Sequence, residues 1–307
     1  MSRARGAALL FALWAVALLA ALLAGLALGA RSESEAALNL YSQTRARYAA
    51  DAGVARAIEA LRESDPARRW VPDGRSYQFE FDGARVQVRI DDVSGQVDLN
   101  AATPQVLTNL FRAAGADNAR AQALSDAVQD WRDSDDLPHA HGAEADTYKQ
   151  AGLKWQPRNG PFRSGDELAR VYGMSDALYR KLAEAVTVYS GRNFPDAQYA
   201  GPLALAASRD GDLNAATRAV EDRRAHPPQT ANGVLAQIQS GIQSEALVAG
   251  AGGVTQEIRS LATLPDGTQS GQDVTLRLTA MTGSLRPYAV LGWRGFSENE
   301  EVGANSR

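Results

Sequence analysis

Residues 7–30, AALLFALWAVALLAALLAGLALGA, form a run of twenty-four residues without a single charge. As an α-helix the run reaches about 36 Å at 1.5 Å per residue, enough to cross a hydrocarbon layer of roughly 30 Å. A cleaved secretory signal has a shorter apolar region, about 7–15 residues, ahead of an Ala-x-Ala-like site. Ala27-Leu28-Gly29 before Ala30 is a weak version of such a site, so the cleaved signal stands as the alternative to a spanning helix. Arg3 and Arg5 precede the run and nothing acidic does, which places residues 1–6 on the cytoplasmic side and the remainder beyond the membrane. That remainder is polar, since mean hydropathy over the chain is −0.30 although 45% of residues are hydrophobic. A length of 307 residues exceeds one typical domain of roughly 100–200 residues. With 32 basic and 36 acidic side chains, the charge balance argues against a protein whose affinity comes from neutralising phosphates. The absence of cysteine excludes disulfides, thiolate chemistry and Cys-ligated metals. Only His139, His141 and His226 are available for imidazole chemistry.

Downstream of the run, residues 33–62 keep a helical rhythm. Leu38, Tyr41, Tyr48, Ala52, Ala55 and Ile58 recur at spacings near three, four or seven, giving an expected apolar face. No proline interrupts the chain from Ala7 to Arg62, and Asp65-Pro66 is the expected stop. Either one long helix or two helices joined near Arg31 would make a membrane stalk. Upstream, Arg5-Gly6 stands immediately before the apolar run. This arrangement resembles the leader of type IV prepilins and type II secretion pseudopilins. The resemblance implies cleavage between Gly6 and Ala7 by a prepilin peptidase on the cytoplasmic side, and methylation of the new amino terminus. Most of these proteins carry Glu at the fifth mature position, where its carboxylate pairs with the amino terminus of a neighbouring subunit. Here that position is Phe11, a departure shared by the minor pseudopilin K subfamily. An ordinary anchor that happens to follow Arg-Gly is the alternative.

After the stalk the period changes to two. Tyr77, Phe79 and Phe81 alternate with polar residues, Asp82-Gly83 supplies a tight turn, and Val86, Val88 and Ile90 alternate again, the pattern of a hairpin. Near the carboxyl end, Val254–Leu264, the turn Pro265-Asp266-Gly267, Val274–Ala280 and Tyr288–Trp293 read as three further antiparallel strands. Between these blocks the rhythm is helical. Thr103-Pro104 opens one helix, Asp117 caps the next, Ser164 to Glu167 reads as a capping box, and Ser175 as another cap. Gly115 and Gly173 are expected stops. Residues 227–253, rich in Pro, Gly, Gln and Ser, read as a mobile connection. The expected fold is therefore α+β: leader 1–6, transmembrane segment 7–30, amphipathic stalk helix 31–66, first part of an antiparallel sheet 67–99, all-α insertion 100–253, last strands 254–295 and tail 296–307. The short helices of the insertion resemble SAM-like or helix-hairpin-helix units, and the stretch from Val97 to Ala102 is similar to DNA-uptake proteins with such hairpins. A membrane-anchored DNA-binding or uptake protein is accordingly the second reading, although Arg112 and Arg120 are offset by Asp117 and Asp126. The hexapeptide Asp-Leu-Asn-Ala-Ala-Thr recurs at 212–217 and reads as a chance helix cap.

The most specific segment after the leader is acidic. Asp130, Asp133, Asp135 and Asp136 precede Leu137-Pro138, and Gly142-Ala143-Glu144 and Tyr148 follow. Carboxylates this close repel one another unless a cation or a basic residue offsets them, and hard oxygen ligands in a loop suit Ca²⁺. The EF-hand glycine and final glutamate are missing. The solvated loop with helix-capping aspartates is the plain alternative, and His139-x-His141 near Glu144 could instead hold Zn²⁺. The pattern resembles that of the type II secretion minor pseudopilin K, as does Arg163-Ser164-Gly165-Asp166-Glu167-Leu168. That resemblance implies bound calcium, with Asp133, Asp135 and Glu144 as ligands and Asp136 and Asp146 as additional candidates.

No G-x-S-x-G, Walker A, H-E-x-x-H or dinucleotide fingerprint occurs, so no enzyme is expected. The resemblance implies a structural subunit at the tip of a periplasmic pseudopilus, taking part in protein export and pseudopilus initiation. Its implied partners are minor pseudopilins I and J, the inner-membrane platform of the secretion system, and the prepilin peptidase. Nucleic acid is not expected, and the implied location is a single pass through the inner membrane with the carboxyl domain in the periplasm.

Overall fold

Helix α1, Arg3–Leu61, is one uninterrupted α-helix of 59 residues, about 90 Å long, without a joint near Arg31. The computed structural model describes residues 3–65, 67–226, 254–279 and 288–296, and within α1 it describes no side chains for residues 3–11, 24 and 26–32. The cleavage position, much of the apolar run, the Pro-rich stretch 227–253 and nearly all of the tail lie outside that description. Among the described residues no helix is long and apolar enough to cross a membrane. The large side chains of the run that are described, Leu13, Trp14, Leu18 and Leu22 among them, are 59–72% exposed. The helix ends at Leu61, before the expected stop at Asp65-Pro66. There the chain turns because Arg69 Nε donates to the Glu63 carbonyl at 2.6 Å and Asp65 Oδ1 accepts from the Ala67 amide at 2.9 Å.

The carboxyl-terminal third of α1 lies on a five-stranded antiparallel sheet. Its strands are β1 (Asp73–Phe81), β2 (Ala84–Asp92), β5 (Val254–Thr263), β6 (Gln269–Leu278) and β7 (Tyr288–Phe296), in that spatial order. Asp82 and Gly83, at φ 47° and 75°, form the two-residue hairpin turn that the Asp-Gly pair favours. The face of α1 that packs is not the one its large apolar residues suggest. Leu38, Tyr41 and Tyr48 are 62–68% exposed, whereas Ala46, Ala49, Ala50, Val54, Ala57 and Leu61 are buried. These join Val86, Val88, Ile90, Ile258, Val274 and Leu276 in one core. Small residues win because the helix axis comes close to the strands: a Cβ on Gly53 would lie 2.0 Å from Ser260 Oγ and 2.8 Å from Val86 Cγ1. Gly53→Ala, which gains about 1 kcal/mol in an exposed helix, should here lower stability by about 1–3 kcal/mol through overpacking. Denaturant unfolding of the full chain in detergent measures it, and a stabilised variant would contradict the close approach.

Two turns clasp α1 where it leaves the sheet. Ser42 Oγ donates to Asp266 Oδ2 at 2.7 Å in the β5–β6 turn, and Arg45 donates to the Asp82 carbonyl at 2.7 Å in the β1–β2 turn. Residues 33–41 beyond this clasp are exposed throughout, so the amino-terminal part of α1 projects as a stalk.

Residues 93–253 are inserted between the paired strands β2 and β5. Both ends of the insertion sit side by side, since Asp92 pairs with Gln256 in register and accepts from Gln256 Nε2 at 2.8 Å. This geometry lets a long insertion close at small entropic cost. The insertion contains β3 (Val97–Asp98), α2 (Pro104–Ala113), α3 (Asn118–Arg132), α4 (Ala145–Gln150), a 3₁₀ turn at Gly165–Arg170, α5 (Asp176–Leu182), β4 (Val186–Thr187), α6 (Pro202–Ala207) and α7 (Leu213–Ala225). It has a core of its own, built on Leu99, Leu107, Phe111, Leu124, Trp131 and Tyr148. Thr103, Asp117, Ser175 and Asp212 cap the helices that follow them. Ser164 does not: its side chain makes no cap bond and the segment winds as a 3₁₀ turn. Glu167, the far corner of that expected box, instead faces Trp131 Nε1 at 3.4 Å and Arg158 at 3.4 Å. Residues 97–98 belong to the insertion, where β3 pairs in parallel with β4. Arg224 of α7 donates to the Asp73 carbonyl at 2.8 Å, tying the end of the insertion back to β1.

Candidate metal centre

The acidic loop folds back on the end of α3, and one buried carboxylate organises it. Asp130 has no exposed surface. Its Oδ1 accepts from the His139 amide at 3.0 Å and meets His139 Nδ1 at 2.5 Å, while Oδ2 accepts from the Ala143 amide at 2.6 Å. Gly142 is required at this point, because a Cβ there would fall 1.9 Å from Asp130 Oδ2. One turn earlier on α3, Asp126 Oδ2 accepts from the His141 amide at 3.1 Å. Beneath the loop the Trp131 ring packs on Phe162 at 5.6 Å and on Tyr148 at 6.4 Å between centroids. The Asp-Trp, Gly-Ala-Glu and Tyr elements of the sequence pattern are thus parts of one closed loop.

Two carboxylates of this loop keep buried oxygens without a hydrogen-bond donor, although Asp133 Oδ2 lies 3.8 Å from His139 Nδ1. Both oxygens of Glu144 and Oδ1 of Asp133 are buried and accept no hydrogen bond, and Glu144 is only 6% exposed. Burial, and then the neighbouring charges of Asp130, Asp133 and Asp136, push the Glu144 carboxyl up to about 7. Asp133 is also raised, first by desolvation and then by Asp135 and Asp130. His139 is raised chiefly by its hydrogen bond to Asp130. Buried acceptors that repel one another are costly unless a cation completes them, and the donor set is the hard oxygen type that Ca²⁺ takes.

The five candidate ligands are distributed unequally. Asp133 converges with Asp130 and His139, Glu144 lies near enough to be raised by Asp130, Asp133 and Asp136, and Asp136 accepts from Asn159 Nδ2 at 2.7 Å. Asp135 spends Oδ1 on the Leu137 amide at 2.9 Å, and Asp146 is exposed in the first turn of α4. For the zinc alternative, Asp130, Asp133 and His139 offer ligand atoms within 4.8 Å of one another, whereas the His141 side chain is exposed. Asp130 and His139 were not among the expected calcium ligands. The signal was Asp126 and Asp130 four apart on α3, a spacing that points both carboxylates to one side. Around the α2–α3 connection, two of the cations that could meet a nucleic-acid phosphate are engaged. Arg120 donates to the Gly173 carbonyl and Ser175 Oγ at 3.3 and 3.2 Å, and Lys181 to the Ala114 carbonyl at 3.3 Å.

A projecting helix laid on an antiparallel sheet, with a helical insertion closed around an acidic loop, agrees with the plan expected from the pseudopilin resemblance. Residues 88–191 match the family model described as Type II secretion system (T2SS), protein K. The chain is 32% identical over 125 residues to type II secretion system protein K of Pectobacterium carotovorum subsp. carotovorum, covering 39% of this chain and 38% of that protein. Against the protein of the same description from Dickeya chrysanthemi it is 24% identical over 238 residues, covering 61% and 66%. These matches span less than two thirds of either relative's length. In fold it is similar to a chain of the crystal structure of the GspK-GspI-GspJ complex from the enterotoxigenic Escherichia coli Type 2 Secretion System, with TM-score 0.53, 16% identity, and 87% of this chain and 99% of that chain covered. The family model, these relatives and the fold neighbour all point to type II secretion system protein K as what this chain is similar to.

Proposed function

We propose that the chain is a minor pseudopilin of a type II secretion system, a structural subunit rather than an enzyme. In this reading it passes once through the inner membrane with its amino terminus cytoplasmic, is cut between Gly6 and Ala7 by the prepilin peptidase, and carries its sheet and helical insertion in the periplasm. It joins minor pseudopilins I and J at the tip of the pseudopilus, above the inner-membrane platform. The observation that carries the reading is α1, a continuous helix that is clasped to the sheet only from Ser42 onward. Its outward residues Leu38, Tyr41 and Tyr48 are large, apolar and exposed, suited to packing against other stalk helices. Phe11 in place of the usual Glu supports the tip position, because a terminal subunit has no neighbour above it whose amino terminus needs a carboxylate. The inserted helical domain adds bulk that would block further stacking.

Calcium is part of the proposal. Glu144 and Asp133 would hold it through their unpaired oxygens, with Asp136 beside them, and Asp130 would position the loop. The ion would supply the countercharge that the cluster lacks.

The partner reading is tested by co-expressing the full chain with I and J from the same organism, extracting the membranes with detergent and purifying by a tag on this chain. Both partners should co-purify. The double substitution Leu38→Glu and Tyr41→Glu, on exposed positions, should lose them while leaving the melting temperature of the purified chain unchanged. Recovery of neither partner with the unsubstituted chain, or salt-sensitive retention of DNA in their place, would defeat the reading.

A further inference from the structure

The face of the sheet opposite α1 meets the helical insertion across a polar cavity of about 320 Å³. Its sheet wall carries Arg89, Arg259 and Arg294, and the acids around it are Asp91, Asp166, Glu184, Glu257 and Asp273. Four of these five carboxylates are matched to arginines. Asp91 meets Arg89 at 2.9 Å, Glu184 meets Arg89 at 2.8 Å and Arg259 at 3.0 Å, and Arg294 reaches Asp166 at 3.2 Å and Asp273 at 3.4 Å. Glu257 differs. Among the described residues its only hydrogen bond is from Gln96 Nε2 to Oε2, at 2.8 Å. Gln96 is itself 6% exposed, lines the cavity, and its Oε1 is buried without a donor. Among the described residues the cavity therefore sets five carboxylates against three arginines, and Oε1 of Glu257 has neither an arginine nor a hydrogen-bond donor, an excess of negative charge that calls for a cation.

We infer that this cavity binds a primary alkylammonium group, seated on the free Oε1 of Glu257. The acceptor set selects this chemistry over other cations. Among the described residues, no three carboxylate or imidazole groups of the cavity come close enough to share a metal ion. A guanidinium pairs best with both oxygens of one carboxylate, but Oε2 of Glu257 is already taken by Gln96. An ammonium is a compact point charge with three rotatable donors, matched to a single open carboxylate oxygen. Tyr179 and Tyr189 on the insertion side supply aromatic surface for the alkyl part. The ligand is either a free polyamine or a lysine side chain of another protein, and the two are separable. Electrostatics support the site: burial, and then Asp273 and Asp91 against the weaker help of Arg259, push the Glu257 carboxyl up to about 7, as expected where a positive charge is wanting.

The test is isothermal titration of the full chain in detergent with cadaverine, Nα-acetyl-lysinamide and Nα-acetyl-argininamide at pH 6 and pH 8. The expected result is saturable binding of cadaverine, tighter at pH 8, where Glu257 is ionised. Glu257→Gln keeps the shape but removes the charge, and should weaken binding by about tenfold or more. Binding of cadaverine alone identifies a free polyamine, and binding of the capped lysine as well identifies a side chain. Absence of saturable heat with both amines, affinity equal at the two pH values, unchanged affinity in Glu257→Gln, or equal affinity for the capped arginine would each overturn the assignment. The pH comparison uses the unsubstituted chain, so it stands even if the variant fails to fold.

Discussion

Gly6→Ala leaves the leader in place. When the full chain is expressed with a prepilin peptidase, intact-mass measurement of the unsubstituted protein should show loss of residues 1–6, and the variant should keep all of them. The effect is expected to be all or none because the scissile bond follows a residue without a side chain. A Cβ at that position restricts the backbone and obstructs the close approach that a protease pocket makes to the chain. The substitution also separates the three readings of the amino terminus. A pseudopilin loses six residues and keeps its apolar run. A secretory signal would be cut near Ala30, with or without Gly6. An ordinary anchor would not be cut at all. Retention of residues 1–6 by the unsubstituted chain in the presence of active peptidase would refute the pseudopilin processing.

How far the sequence could be read depended on whether the deciding interaction was local. The helix over Arg3–Leu61 and the alternating strands were legible because period and breakers are properties of neighbouring residues. The packed face of α1 was not. A periodicity argument weights residues by hydrophobicity and so chose Leu38, Tyr41 and Tyr48, whereas the sheet selected Ala46, Ala49, Ala50 and Gly53 by size. The two Asp-Leu-Asn-Ala-Ala-Thr copies make the same point. Asp212 is exposed and caps α7, as its neighbours alone would suggest. Asp98 is buried, its Oδ1 accepts from the Asn100 and Ala101 amides and its Oδ2 from Ser190 Oγ at 3.2 Å and the Gly191 amide at 2.7 Å, while the helix after it starts at Pro104 with Thr103 as its cap. In the acidic loop, the family resemblance implied Asp133, Asp135 and Glu144 as ligands. The i, i+4 spacing of Asp126 and Asp130 placed those two carboxylates on one side of α3, but the hold of Asp130 on the His139 and Ala143 amides arises only when the loop folds back on the helix.

Withdrawing calcium should make stability fall as pH rises, and restoring it should reverse the trend. In chelator the unfolded chain ionises Glu144 near its ordinary value of 4.5, whereas the folded chain holds the proton to about 7. Between those values the folded state binds more protons than the unfolded state, so folding stability declines with pH. The loss from this one group is at most about 3 kcal/mol, roughly 5–10 °C in melting temperature for a domain of this size. Asp133, also raised, acts in the same direction. His139 does so by the opposite chemistry: its folded value is raised above 6.5, so its contribution is complete below that value and is lost as pH climbs through the raised one. Calcium competes with the protons on these carboxylates and binds the folded chain preferentially, which stabilises it in proportion to the logarithm of occupancy. The increment in melting temperature between calcium and chelator should therefore be small at pH 5 and large at pH 8. Glu144→Gln should flatten the decline in chelator and remove most of the increment at pH 8, whereas Asp146→Asn, at an exposed position off the cluster, should leave both nearly unchanged. An increment equal at pH 5 and pH 8 would show that calcium acts elsewhere. A response to zinc alone, abolished by His139→Ala, would assign the centre to Asp130, Asp133 and His139 instead.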